Sequence, residues 1–162
     1  DEQVFEELSE EILQGVLDEI KDSGEKVLFI MDDVVNDMKK EARLEKLLCK
    51  VLMNRRHQCG AGGSLSVWIT SQVYNKIPLP VRKCASQVIC YETRNRAELD
   101  SLYNEVIVGL TKMEWYQLCK YIWDKKFQFL FLDTTKPFKK MYHKNFNQLE
   151  LTTEQDEWEA TQ

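Results

Sequence analysis

Val27-Leu28-Phe29-Ile30-Met31 is an apolar run that ends in two adjacent carboxylates, Asp32 and Asp33. A run of this length, entered from the turn Ser23-Gly24-Glu25-Lys26, reads as a strand buried on both faces. In open α/β sheets, ligands bind beyond the carboxyl ends of the strands. A carboxylate pair there can hold Mg²⁺ with one member and polarise a water with the other, as nucleoside triphosphate hydrolysis requires. A plainer role is equally open, because Asp favours helix N-caps and strand-end turns. Side chains alternate along an extended strand, so the two acids are expected to face different ways and serve different roles.

Other residues could share such chemistry. Ser66-Val67-Trp68-Ile69-Thr70-Ser71-Gln72 is a second apolar strand with a polar end; by itself it reads better as a strand ending in a polar turn than as a site where Gln72 orients a water or senses a phosphate. Asn54-Arg55-Arg56-His57 closes a helical stretch; its arginines either complement the helix dipole or reach a phosphate with their fork geometry. Pro80-Val81-Arg82-Lys83 follows a proline-stiffened loop and presents Arg82 to a phosphate, a partner or solvent. His57-x-Cys59 lacks a second ligand pair at zinc spacing. Lys136, Lys139, Lys140, His143 and Lys144 form a basic cluster that either touches DNA phosphates or solubilises a loop. Trp115, Tyr116, Tyr121 and Trp123 suit helix packing better than base stacking.

These residues need a scaffold. The chain has 162 residues, 43% apolar and 30% charged, which is ordinary for one soluble globular domain with a real core. That domain is expected over residues 1–150, followed by a polar acidic tail, 151–162, that frays. Neither a membrane-spanning run nor a secretory leader is visible. Five cysteines without a CxxC pair point to an intracellular reducing compartment; Cys49, Cys84, Cys90 and Cys119 are expected as small core residues. The net charge of −5 argues against a protein that coats nucleic acid with its whole surface.

Apolar spacing predicts helices over 3–22, 38–55, 96–108 and 111–124, with Gly109 at the break between the last two. Strands are expected at 27–31, 65–70, 87–91 and 127–133. Residues 58–63 read as a flexible glycine loop, and Ile77-Pro78-Leu79-Pro80 as irregular. Strands separated by helices suggest an α/β fold with a parallel sheet flanked by helices.

Taken in order, "VLFIMDDV", "NRRH", "VWITSQVYNKIPLPVRK" and "FLFLDTT" resemble the genome-packaging ATPases of large DNA viruses. These are the poxvirus-type and Maverick/Polinton-type members of the FtsK/HerA superfamily. The similarity covers about residues 25–147 and is most specific from Arg55 through Arg82. It implies a RecA-like P-loop core in which Asp32 is the Walker B acid, holding Mg²⁺ through its water shell. Asp33 would orient or activate the attacking water, and Gln72 would sense the γ-phosphate of ATP. Arg55, Arg56 and Arg82 match basic positions of the family, at least one of which would act on a neighbour's nucleotide. The implied partners are double-stranded DNA, further copies in a hexameric ring, and capsid or portal-vertex proteins. The implied setting is a viral factory, host cytoplasm or nucleus, or the virion.

Two departures stand out. Cys84 occupies a position where the family often has Asn, two residues after the loop arginine. No GxxxxGK[ST] occurs, and Gly60-Ala61-Gly62-Gly63 contains no lysine to cradle phosphates. The chain opens in a helix only 26 residues before Val27, so it is expected to be the portion of an ATPase that follows the phosphate loop. The competing readings are a catalytically inactive, ATPase-like scaffold or partner-binding module, and a DNA-contacting module built on Lys136, Lys139, Lys140 and Lys144.

Overall fold

The computed structural model describes residues 3–151, the side chain of Lys39 excepted. The tail expected beyond residue 151 lies outside the described residues. The chain forms two compact units, Asp1–Cys84 and Ala85–Gln162.

In the first unit, α1 (Glu10–Ile20) begins where the Ser9 hydroxyl accepts from the Ile12 amide at 3.2 Å. The helix therefore starts seven residues later than its apolar spacing suggested, because Ser9 caps it and Glu10 and Glu11 face its positive end. Leu13, Leu17 and Ile20 enter the core. Strand β1 (Lys26–Asp32) follows, then α2 (Val35–Lys40) and α3 (Ala42–Asn54). The single helix expected over 38–55 is broken at Glu41, whose backbone is extended (φ −128°, ψ 104°). Helix α3 buries Leu44, Leu48, Val51 and Leu52.

Strand β2 (Ser64–Thr70) pairs in parallel with β1, from Lys26 opposite Ser64 to Asp32 opposite Thr70. Val27, Phe29, Val67 and Ile69 pack on the core formed with α1 and α3. The opposite face is open, so β1 is not buried on both sides: Leu28 is 48%, Ile30 64% and Trp68 64% exposed. Residues 58–63 form the expected loop, and its turns are tight. The Gly24 amide donates to the Cys59 carbonyl at 2.7 Å, and a Cβ at Gly63 would stand 2.6 Å from that of Cys59.

The proline segment is also more regular than its composition suggests. Helix α4 (Leu79–Lys83) is entered from Pro78, with Pro80 in its first turn. The missing proline N–H would have no intrahelical partner there, so the ring costs little. Val81 anchors α4 in the core.

In the second unit, β3 (Gln87–Tyr91), β4 (Phe129–Asp133), β5 (Tyr142–Lys144) and β6 (Asn147–Gln148) form an antiparallel sheet in that order. The parallel arrangement expected throughout thus holds only for β1 and β2. Two helices, α5 (Arg96–Glu105) and α6 (Lys112–Ile122), separate β3 from β4. Two helices also lie between the parallel β1 and β2, so the number of intervening helices does not set strand direction; the ladder from Gln87 opposite Asp133 to Tyr91 opposite Phe129 does. Helix α6 starts in a capping box made by Thr111 and Glu114. Trp115, Ile122, Leu130, Leu132 and Tyr142 are fully enclosed.

The short helix α7 (Phe138–Met141) leads into the hairpin β5–β6, which apolar alternation did not flag. The Tyr142 hydroxyl donates to the Val108 carbonyl at 2.7 Å and accepts from its amide at 3.0 Å. On the outer side, Phe129 and Phe131 each meet Phe146, with centroids 5.1 and 5.7 Å apart.

Candidate functional site

The parallel ladder places Asp32 beside Thr70 at the carboxyl end of both strands. Asp32 shares the open face with Leu28 and Ile30, since these positions alternate with the inward Val27, Phe29 and Met31. The Thr70 hydroxyl donates to Asp32 Oδ1.

Asp33 then leaves the extended conformation. Its φ of 50° is left-handed, a region Asp and Asn enter more readily than most residues. This turn removes the simple alternation expected of neighbouring acids. The Asp33 amide donates to the Thr70 carbonyl at 3.3 Å, and the Gln72 side-chain amide donates to Asp33 Oδ2 at 3.3 Å. Both carboxylates are exposed and both are held by the end of β2.

Asp32, Asp33 and Gln72 are therefore assembled, and Thr70 joins them. Its part was hidden in the sequence because a threonine in a strand needs no explanation beyond β-propensity. The readable signal was its place: last in the second apolar run, two residues before Gln72.

Arg55 and Arg56 are placed elsewhere. They lie in a 3-10 turn, Arg55–His57, between α3 and the turn that enters β2. That is the amino end of β2, roughly 20 Å of strand from Thr70 at about 3.3 Å per residue. Arg55 Nη1 donates to the Leu52 carbonyl at 3.0 Å and closes α3, while Arg56 is exposed. The Gly60–Gly63 cluster sits at this same end, away from the carboxylates. Arg82 is half-buried in α4, its guanidinium 4.9 Å above the Tyr74 ring.

The basic cluster in the second unit divides. Lys136, Lys139 and Lys140 are exposed at and before α7. Lys144 is drawn inward: its Nζ donates to Asp124 Oδ1 at 2.7 Å and to the Tyr121 carbonyl at 2.9 Å. It also covers the Tyr121 ring at 4.5 Å. The His143 ring packs 5.0 Å from that of Phe131. Among the aromatics of α6 and its end, Trp115 is enclosed and Trp123 donates to the Cys90 carbonyl at 3.3 Å, so both serve packing.

All five thiols are free. Cys59 and Cys119 are buried, whereas Cys49, Cys84 and Cys90, expected in the core, are only partly enclosed. Burial pushes the Cys90 and Cys119 thiols up to about 12, which keeps both protonated and unreactive. His57 is exposed while Cys59 is enclosed, so the two do not converge.

Among the described residues, no group of three or more His, Cys, Asp and Glu side chains could cage a metal ion. A lone strand-end carboxylate such as Asp32 still fits Mg²⁺, which commonly takes one or two carboxylates and completes its octahedron with water and phosphate. Comparison with protein-family models, with curated proteins and with solved structures finds nothing that matches this chain.

Proposed function

We propose that this chain is the Walker B portion of a RecA-like ATPase that translocates double-stranded DNA during viral genome packaging. The observation that carries the reading is the convergence of Asp32, Asp33, Thr70 and Gln72 at the carboxyl end of a parallel strand pair. Ligands of α/β sheets bind at that end. Magnesium bound with ATP would offset negative charge on the transferring phosphate. Asp32 would hold the ion's water shell, with at least one of Arg55, Arg56 and Arg82 serving a neighbouring subunit's nucleotide. Asp33 would accept a proton from the attacking water, and Gln72 would sit between that base and the γ-phosphate.

The open side of the first unit supports a larger sheet. Parallel sheets occur almost only with both faces covered. Here Leu28, Ile30 and Trp68 line an uncovered face beside Asp32. A further strand and helix carrying the phosphate loop would cover that face and bring phosphates to the carboxylates.

The test is calorimetry of the intact protein with Mg-ATP, followed by hydrolysis assays with and without duplex DNA. Micromolar binding and DNA-stimulated turnover are expected. An intact protein that binds no Mg-ATP refutes the ATPase reading and leaves the scaffold reading in its place.

A further inference from the structure

We propose that Thr70 is a positioning residue that fixes the Asp32 carboxylate for the magnesium ion of bound ATP; this rests on the ATPase reading above. Among the described residues, Thr70 alone hydrogen-bonds both acids. Its hydroxyl donates to Asp32 Oδ1 and its carbonyl accepts the Asp33 amide at 3.3 Å. No other described side chain hydrogen-bonds Asp32.

The physical need for such a contact is specific. Asp32 is exposed at a strand end, and its one side-chain hydrogen bond among the described residues is the one from Thr70. A carboxylate that samples several rotamers must be ordered whenever the ion binds. Thr70 removes that cost by anchoring one oxygen and leaving Oδ2 to face the ion's water shell. Threonine suits the task because its β-branch stiffens χ1, so the hydroxyl direction is set by the strand. The register brings the two side chains side by side: Asp32 and Thr70 are partners in the last rung of the ladder.

The experiment compares Thr70→Val, Thr70→Ser and Asp32→Asn in the intact protein. Valine keeps the shape and strand preference but loses the donor. Serine keeps the donor. The readout is Mn²⁺ affinity at saturating ATP, measured by electron paramagnetic resonance with Mn²⁺ in place of Mg²⁺. Thermal unfolding checks the fold of each variant.

Thr70→Val is expected to weaken Mn²⁺ binding about tenfold or more, the range of one hydrogen bond to a charged group. Thr70→Ser should stay within about threefold of wild type, and Asp32→Asn should remove the site. Thr70→Val at wild-type affinity, with Asp32→Asn inactive in binding, overturns the role of Thr70 and leaves the ATPase reading standing. A wild-type protein that takes up no Mn²⁺ with ATP overturns both. Serine as weak as valine would show that the hydroxyl is not the cause, and overturns the proposal as well.

Discussion

Replacing Asp33 by Asn tests the proposed base while disturbing the structure as little as possible. Asp33 stands at φ 50°, and Asn is among the few residues that accept this conformation readily. The Asn side chain has the same shape, and its carbonyl oxygen can still accept the Gln72 amide that now donates at 3.3 Å. The fold and the Asp32 site should therefore persist. Only the capacity to accept a proton is removed. Positioned general bases contribute about 10²- to 10⁴-fold, so turnover in the intact protein should fall by that factor. Mg-ATP affinity should change little, because Asp33 is not assigned to the metal. Asp33→Ala is a useful companion: it removes the same chemistry and adds roughly 1 kcal/mol of backbone strain. The assay is steady-state phosphate release with duplex DNA, beside calorimetry and thermal unfolding of each variant. Turnover of Asp33→Asn within a few-fold of wild type would refute the assignment of Asp33. Loss of ATP binding together with turnover would instead move Asp33 to the metal site.

Further predictions concern the scaffold and the charged surface. Gly15 lies within α1 with no atom within 4 Å of an added Cβ, so Gly15→Ala should stabilise the protein by about 0.5–1 kcal/mol in urea unfolding. Gly63→Ala should do the reverse, by about 1–3 kcal/mol, because its Cβ would meet Cys59 at 2.6 Å and the Glu25 carbonyl at 2.7 Å. Hydrogen bonds from the Thr135 hydroxyl and amide hold the Asp133 carboxyl below the usual carboxylate range. A depressed folded value stabilises above the unfolded one, and that stability disappears as pH falls through the folded value. Asp133→Asn should therefore cost about 1–3 kcal/mol at neutral pH, and the gap to wild type should close in unfolding curves taken well below pH 4. If Lys136, Lys139 and Lys140 bind DNA, replacing all three by Ala should flatten the slope of log affinity against log salt by roughly 0.9 for each phosphate no longer neutralised. An unchanged slope would show that they only solubilise the surface.

The sequence by itself determined the elements whose cause is local. Apolar spacing did not reveal the Ser9 cap that delays α1, but the 3.6-residue spacing of α3 and α6 and the strands ending in Asp32 and Thr70 could be read along the chain. So could the candidates Asp32, Asp33 and Gln72, because an apolar run that stops at polar residues marks a strand end. Tertiary structure decided what depends on distant partners. Which strands pair, and in which direction, is set by packing: two helices intervene in both pairs, yet β1 and β2 run parallel while β3 and β4 run antiparallel. Leu28 and Ile30 look as buried as Val27 and Phe29 in a one-dimensional pattern, and only packing left them on an open face. The glycine turn and the Pro80 segment took order from close approaches that composition cannot reveal. Arg55 and Arg56 fell at the end of β2 away from the carboxylates because α3 carries the chain back before β2 begins. Thr70 gained its place through register, since a residue 38 positions from Asp32 becomes its neighbour only when the two strands align.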